Sequence, residues 1–262
     1  MTTRERTYRT EAIILRRKDF GEADRVLTVF TPARGKVRLV AKGIRKPRSR
    51  KAGHLELFTR VALLVAAGRD LDLITQAQTV ETYLPLREDL LRGAHAAYAV
   101  ELLDKFTPDH QEAAELYELL AAGLGWLSAA PEVTLAARYY ELQLLALAGF
   151  QPELRRCVLG GEVIVAEAQF FSTAQGGAVC ARCGRPTPNG PALPGLIPIS
   201  VEALKYLRYF QIQPYERVAG LALAPDVLAE MERVLQRYIV FVLERQLKSV
   251  DFLKLIRRET AA

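Results

Sequence analysis

The chain has 262 residues, half of them apolar and a quarter charged, which is ordinary for a globular protein. Its 36 Lys and Arg exceed its 30 Asp and Glu, and the formal net charge of +6 is consistent with an anionic partner. No apolar run approaches the roughly 18 residues of a membrane span, and no apolar stretch follows the first charges, so neither a membrane protein nor a secretory signal is expected. Three cysteines, an odd number, argue against a disulfide framework and predict a cytoplasmic protein.

Residues 10–78 alternate between short apolar runs and turn residues, which is typical of a strand-rich domain. Five runs have strand character, at 11–15, 25–31, 36–41, 55–66 and 71–78. Five short strands predict a small closed barrel, and the five-stranded barrel most often associated with single-stranded nucleic acid is the OB-fold. An SH3-like barrel also fits the strand count, but we assign residues 1–80 to an OB-fold nucleic-acid-binding domain.

The basic segment, residues 34–51, is the most informative part of the chain because it holds nine Lys or Arg residues in eighteen positions and no Asp or Glu. Its first half alternates apolar and basic residues as a strand does, and its second half has the Gly, Pro and Ser of a loop. A cationic strand that continues into a cationic loop can follow a phosphate backbone. The alternative is a solvated edge whose lysines prevent aggregation. We predict a nucleic-acid-binding surface made of Arg34, Lys36, Arg38, Lys42, Arg45, Lys46, Arg48, Arg50 and Lys51.

From about Pro85 the apolar period becomes helical, so the fold class is predicted as α+β: a five-stranded OB-fold barrel followed by a helical domain. A first helical part is assigned to 81–154 and a second to 196–262, with helices around 201–210 and from Pro225 to about Lys248. Tyr139 and Tyr140 could stack on bases, but aromatic residues at helical spacing are usually interior. A small cysteine-containing, zinc-finger-like insert is expected between the two helical parts, at 155–195.

Within this insert, Cys180 and Cys183 form a CxxC that is followed by glycine, a knuckle suited to Zn²⁺ when two further ligands complete the tetrahedron. Cys157 begins a second knuckle in which Gly160 stands at the position of the second cysteine. The candidate metal ligands are therefore Cys157, Cys180 and Cys183, with the fourth ligand open: water, a carboxylate such as Glu162, or a distant residue. A degenerate site that folds without metal is the other alternative. Prolines 186, 188 and 191 argue against the helix that a thioredoxin-like CxxC requires.

Catalytic signatures are missing from the sequence, which has no GxxxxGK[ST], GxGxxG or HExxH motif. The acids Glu22, Asp24 and Glu56 are too scattered to predict a two-metal nuclease centre. We expect no catalytic residues and a structural rather than a catalytic role for any bound zinc. The protein is therefore not expected to be an enzyme.

The run DFGEADRVLTVFT at 19–31 occurs together with Gly35-Lys36, Ala41-Lys42-Gly43 and the opening TEAIIL at 10–15. In these residues the sequence resembles the RecO family of bacterial recombination mediators. The resemblance extends through the helical middle, the two knuckles with Phe170-Phe171-Ser172 between them, and the closing LKSVDFL at 247–253. The departure is Gly160, where members that keep the zinc finger carry cysteine.

The resemblance implies an N-terminal OB-fold, a helical domain and a zinc-finger-like insert. It implies a protein that binds single- and double-stranded DNA, anneals complementary strands, and acts in the RecFOR pathway with RecR to help RecA replace single-strand-binding protein at gaps and breaks. A cytoplasmic, nucleoid-associated location is expected. The acidic C-terminal tail of single-strand-binding protein is expected to dock on the helical domain, where the candidate anchors are Arg138, Lys205, Arg208 and Arg217.

Two other classes of function compete with this interpretation. An RNA-binding OB-fold module would prefer structured RNA and would lack annealing activity. A metal-assisted nuclease would use the cysteine cluster with carboxylates elsewhere in the chain, and it would degrade DNA when supplied with metal.

Overall fold

The computed structural model describes residues 6–185 and 195–260, so the prolines at 186, 188 and 191 lie outside the described residues. The chain divides into two compact units. The first comprises Met1–Ala129 with Phe252–Ala262, and the second comprises Ala130–Asp251. The expected α+β class is confirmed, with strands at the N-terminus and helices beyond. The first helices belong to the same unit as the barrel. The assigned domain bounds, 1–80, 81–154, 155–195 and 196–262, stay predictions.

Five strands form a closed barrel in the order β1-β2-β3-β5-β4, which confirms the expected OB-like sheet. They are β1 (Thr7–Phe20), β2 (Asp24–Thr31), β3 (Gly35–Ala41), β4 (Arg60–Ala66) and β5 (Asp72–Glu81). Neighbouring strands are antiparallel except β3 and β5, which pair in parallel at Leu39–Asp72 and Val40–Leu73. A register shift between Ile14 and Arg16 lets β1 pair with β2 along its second half and with β4 along its first.

Alternate residues of the five strands fill the barrel interior, as a half-buried sheet requires. Two side chains from the connection between β3 and β4 join them: Ile44 is 2% exposed and Leu55 is fully buried. This connection also corrects an expected boundary, because β4 begins at Arg60 rather than near Leu55. Phe58 adopts a left-handed backbone with φ of +66°, which no regular strand accommodates.

Three helices follow the barrel in the first unit: α1 (Pro85–Glu88), α2 (Leu90–Phe106) and α3 (Ala114–Ala129). Asp89 accepts a hydrogen bond from Arg92 N and so caps the start of α2. The Tyr83 hydroxyl donates to Ala121 O at 2.9 Å, tying the end of the barrel strands to α3. The helical pattern expected from Pro85 onward is confirmed.

In the second unit, α4 (Val133–Leu147) packs with α6 (Val201–Ile212) and α8 (Pro225–Leu243), and the short α7 (Tyr215–Val218) lies between the last two in sequence. Tyr139 and Tyr140 are interior, as expected. The helix predicted from Pro225 to about Lys248 ends earlier, at Leu243. Glu244 takes φ of +51° and terminates α8. A further helix, α9 (Lys248–Thr260), follows this break.

The insert contains a three-stranded sheet of order β7-β6-β8, built from β6 (Gln169–Ser172), β7 (Gly177–Val179) and β8 (Leu196–Ile199). The single turn α5 (Ala181–Gly184) follows β7 and begins at Cys180. Phe171 of β6 is fully buried, and its ring meets the Tyr238 ring of α8 edge to face at 5.4 Å. This contact attaches the small sheet to the helices of its unit.

Across residues 6–185 and 195–260, no helix is both long and apolar enough to cross a membrane.

Replacing Ile44 by alanine should lower the free energy of unfolding by about 2–4 kcal/mol, because it removes a buried side chain and leaves a cavity in the barrel. Urea unfolding followed by fluorescence of Trp126, the single tryptophan, reports this directly since α3 belongs to the barrel unit. Val80→Ala is the matched control, because Val80 is 47% exposed and its truncation should cost less than about 0.5 kcal/mol. Equal losses in both variants would contradict the packing described for Ile44.

Candidate nucleic-acid interface and cysteine cluster

The basic loop, residues 42–51, is an ordered part of the barrel unit. Gly43 N donates to the Asp24 carboxylate at 2.7 Å, and Arg45 N donates to Ala23 O at 2.9 Å. These bonds tie the loop to the turn between β1 and β2. Gly43 takes φ of +66°, a conformation that glycine adopts without strain. With Ile44 buried between these contacts, the loop backbone is held in place before any ligand binds.

Most of the predicted phosphate contacts have exposed side chains. Arg48 and Arg50 lie in the basic loop. Within the described part of the chain, neither residue takes part in an ion pair. Arg45 faces Asp19 at 3.6 Å across exposed surface, a separation at which screening leaves little binding energy. The exposed members of the predicted surface are Arg34, Arg38, Lys42, Arg45, Lys46, Arg48 and Arg50.

Arg34 lies at the turn between β2 and β3, with its guanidinium 3.7 Å from the centre of the Tyr8 ring. The Tyr8 hydroxyl donates to the Asp72 carboxylate at 3.0 Å. Burial, together with this hydrogen bond to Asp72, raises the pKa of Tyr8 to about 12, so the phenol stays neutral. Arg34 therefore stacks on an aromatic face while the residue stays exposed to solvent.

Lys36 and Lys51 have protein partners. The Lys36 ammonium is 12% exposed and lies 3.0 Å from Asp104 Oδ1 and 3.1 Å from Asp109 Oδ1. It also donates to the carbonyls of Asp104 and Thr107. Lys51 donates to Ile74 O at 3.0 Å, and burial lowers its pKa. Both side chains therefore stabilise the barrel unit, and their contact with phosphate stays a prediction.

Sequence reasoning missed the cations of β1. Arg16, Thr28 and Arg38 pair across β1, β2 and β3 and form one row on the outer face of the barrel. A pocket of about 350 Å³ opens beside them, also lined by Lys36, Asp104 and Asp109, and Arg16 pairs with Asp104. The signal was available as the run Arg16-Arg17-Lys18, but the first strand was expected to end at residue 15.

Phe20 was also missed. It ends β1 opposite Asp24, at the hairpin to which the basic loop is hydrogen-bonded, and its ring is 59% exposed. Lys18 is exposed on the same strand two residues earlier, so both side chains point to the same side. An exposed aromatic ring among cations is the arrangement that stacks bases in single-strand-binding surfaces.

The cysteine cluster consists of Cys157, Glu162, Cys180 and Cys183. One ligand atom from each of these side chains lies within 4.8 Å of all the others. Backbone N–H groups point at the sulfurs: Gly160 N and Cys180 N at Cys157 Sγ, at 3.3 and 3.4 Å, and Cys183 N at Cys180 Sγ, at 3.4 Å. The structure thus brings together the three cysteines predicted from their spacing and selects Glu162 among the open choices for a fourth neighbour.

The electrostatics of the cluster favour thiolate on Cys157. Burial opposes ionisation, but N–H groups of Cys180, Gly160 and Leu159 stabilise the anion and lower the pKa of Cys157 to about 7. Hydrogen bonding to Cys180 raises the pKa of Cys183 to about 11. Three sulfurs and one carboxylate oxygen gathered at this spacing match the donor types of a tetrahedral Zn²⁺ site, so the residues fit the metal.

The candidate anchors for an acidic peptide differ in exposure. Arg138 is fully buried, 2.7 Å from Glu141 Oε1 and 3.2 Å from Glu232 Oε2, so its expected surface role is wrong. Arg208 is partly buried and donates to Leu154 O at 2.7 Å. Lys205 and Arg217 are exposed.

The fold and these two sites define a class: an OB-fold protein with a basic outer face, joined to a helical unit that carries an insert with three clustered cysteines. Comparison with known proteins specifies the class further. The family model described as Recombination protein O N terminal matches residues 4–83, and the one described as Recombination protein O C terminal matches residues 87–251. The chain belongs to the RecO family, which confirms the resemblance seen in the sequence.

Curated relatives agree with this assignment. The chain is 41% identical over 255 residues to the DNA repair protein RecO of Roseiflexus sp. (strain RS-1), covering 97% of this chain and 88% of that protein. It is 35% identical over 256 residues to the DNA repair protein RecO of Dehalococcoides mccartyi (strain ATCC BAA-2266 / KCTC 15142 / 195), covering 98% of both. The DNA repair protein RecO of Bifidobacterium adolescentis is 35% identical over 250 residues, covering 94% of this chain and 98% of that one.

Proposed function

We propose that this protein is a cytoplasmic DNA repair and recombination mediator. It binds single- and double-stranded DNA, anneals complementary strands, and helps RecA replace single-strand-binding protein at gaps and breaks. The family membership and the relatives, which are DNA repair proteins, support a role in DNA repair. The observation that carries the proposal is the array of exposed cations held on an ordered loop and on the outer face of β1–β3.

Annealing by this surface requires no bond chemistry. Two complementary strands repel each other through their phosphates, and a cationic face that contacts both lowers this repulsion by releasing counterions. Base pairing then supplies the free energy of annealing. The protein is therefore a non-enzymatic mediator, and its phosphate contacts position the strands without reading their sequence.

The partners in this role are RecR and the acidic C-terminal tail of single-strand-binding protein. Lys205 and Arg217 are exposed cations of the helical unit and remain candidates to receive the tail carboxylates. RecA is an indirect partner, since it loads on the DNA that the mediator exposes.

Zn²⁺ is the proposed cofactor of the insert, where it would be held by Cys157, Cys180 and Cys183. Its role is structural, because it would link the turn after Cys157 to the knuckle that begins at Cys180.

Substituting Lys42, Arg48 and Arg50 together by alanine should weaken DNA binding and flatten its salt dependence. If about five side chains contact phosphates of single-stranded DNA, log K falls against log salt with a slope of roughly −3.5. Each lost contact should reduce the steepness by about 0.7, whatever the DNA sequence. Fluorescence anisotropy of labelled oligonucleotides across a salt series measures both affinity and slope.

The matched control removes three exposed cations elsewhere, Arg237, Arg245 and Lys254, so that the change in net charge is the same. This variant should keep the wild-type slope. An equal flattening in both variants would show that binding follows net charge and would exclude the basic loop as the site.

Substituting Phe20 by alanine should weaken binding of single-stranded DNA about 5- to 150-fold, because one base loses a stacking partner worth roughly 1–3 kcal/mol. The salt slope should not change, since no cation is removed. Binding of duplex DNA, whose bases are already stacked, should also be unchanged. Phe241→Ala, which truncates an exposed aromatic residue of α8, is the control. Equal losses on single strands and duplex would contradict a stacking role.

The decisive experiment measures annealing of two complementary DNA strands, each coated with the cognate single-strand-binding protein, with and without this chain. Faster annealing without nucleotide and without strand cleavage is expected, and the variant lacking Lys42, Arg48 and Arg50 should lose most of the acceleration. Tight binding without acceleration would leave an OB-fold binding module, and preference for structured RNA would identify that module as an RNA binder. Degraded strands would favour the nuclease.

A further inference from the structure

We propose that Glu162 is the fourth metal ligand of the insert and takes the place of the cysteine that is missing at position 160. This inference rests on the zinc site proposed above. It makes the site a closed set of three thiolates and one carboxylate and leaves no ligand position for reacting water.

The first support is steric. A Cβ built on Gly160 would overlap Glu162 Oε2 and would lie 3.0 Å from Cys183 Sγ. The carboxylate therefore occupies the space into which a side chain at position 160 would extend. Glycine at position 160 leaves room for the Glu162 carboxylate. A carboxylate oxygen of Glu162 lies where the side chain of a cysteine at position 160 would extend.

The second support is the backbone of the turn that carries Glu162. Cys157 N donates to Glu162 O at 2.8 Å, and Gly161 N donates to Cys157 O at 2.8 Å. Gly161 closes the turn with φ of +77°, a conformation that glycine adopts without strain because it has no side chain. These two bonds fix Glu162 relative to Cys157, so the carboxylate does not reach the sulfurs through a flexible loop.

The third support is that the two carboxylate oxygens of Glu162 have different neighbours. Oε1 pairs with the guanidinium of Arg182, which lies between Cys180 and Cys183 in sequence, and Oε2 lies in the space beside Gly160. A monodentate ligand needs one oxygen for the metal, and a partner on the other orients the group. Three thiolates and a carboxylate also supply the same total charge to Zn²⁺ as four thiolates do.

The test uses the purified full-length chain, with Zn²⁺ affinity measured by competition with a chromophoric chelator and ligand type read from the absorption of the Co²⁺-substituted protein. Glu162→Gln should weaken Zn²⁺ binding about 10- to 100-fold and shift the Co²⁺ d–d bands. Glu167→Gln is the matched control: it makes the same change at an exposed carboxylate of the insert that lies outside the cluster, and affinity should stay within about threefold.

A rescue variant separates ligation from misfolding. In Gly160→Cys combined with Glu162→Ala, truncation at position 162 empties the space that a side chain at position 160 needs, and a fourth sulfur becomes available. Affinity should return at least to the wild-type value, and thiolate-to-cobalt charge-transfer absorption should rise by about one third, following the thiolate count. Circular dichroism checks that each variant keeps the wild-type fold.

Unchanged affinity and an unchanged Co²⁺ spectrum in Glu162→Gln would overturn the proposal, as would failure of the wild-type chain to bind Zn²⁺ or Co²⁺ at all. Annealing by the same wild-type preparation is measured in parallel. Loss of annealing with the metal results intact would count against the mediator function alone, and the reverse pattern would count against the metal site alone.

Discussion

The burial of Ile44 in the barrel is the contact on which the basic face depends. At the end of β3 the chain must both close the barrel interior and leave the sheet, and Ile44 and Leu55 fill that interior from within the connection. Because the loop backbone is also bonded to Ala23 and Asp24, the cations after Ile44 are held outward as a defined array. Binding a polyanion then orders side chains only, which lowers its entropic cost.

The cations of the basic segment divide into two groups by the acids around them. Lys36 lies between Asp104 and Asp109, and Arg16 shares Asp104 with it, so the field beside β1 and β3 is partly neutralised. Around the loop, the described ion pairs involve a single acid, Asp19, which faces Arg25 and Arg45. The hydrogen bond from Arg25 lowers the pKa of Asp19. The cations of the loop are therefore less neutralised by neighbouring acids than Lys36 and Arg16 are.

The sequence predicted the features that neighbouring residues in the chain determine. It missed features that depend on tertiary contacts or on the backbone conformation of one residue. Alternation in 36–41 predicted a strand, and CxxC spacing predicted which cysteines meet. The end of β1 was missed because Arg16 and Lys18 break the apolar pattern while remaining in the ladder. The end of α8 depends on one left-handed residue, Glu244. Arg138 was misplaced although Glu141, one turn away within an apolar helix, signalled a buried ion pair.

The sequence did not select Glu162 among the candidate fourth ligands. Glu162 lies two residues after position 160, and sequence spacing does not show whether its side chain reaches the sulfurs. The ring contact between Phe171 and Tyr238 of α8 attaches the small sheet to the helices without any residue of the cluster. What remains for the cluster is to join the turn at 157–162 to the knuckle at Cys180–Cys183. In the proposed zinc site, three sulfurs and one carboxylate oxygen would supply four ligands and the same total charge as four thiolates.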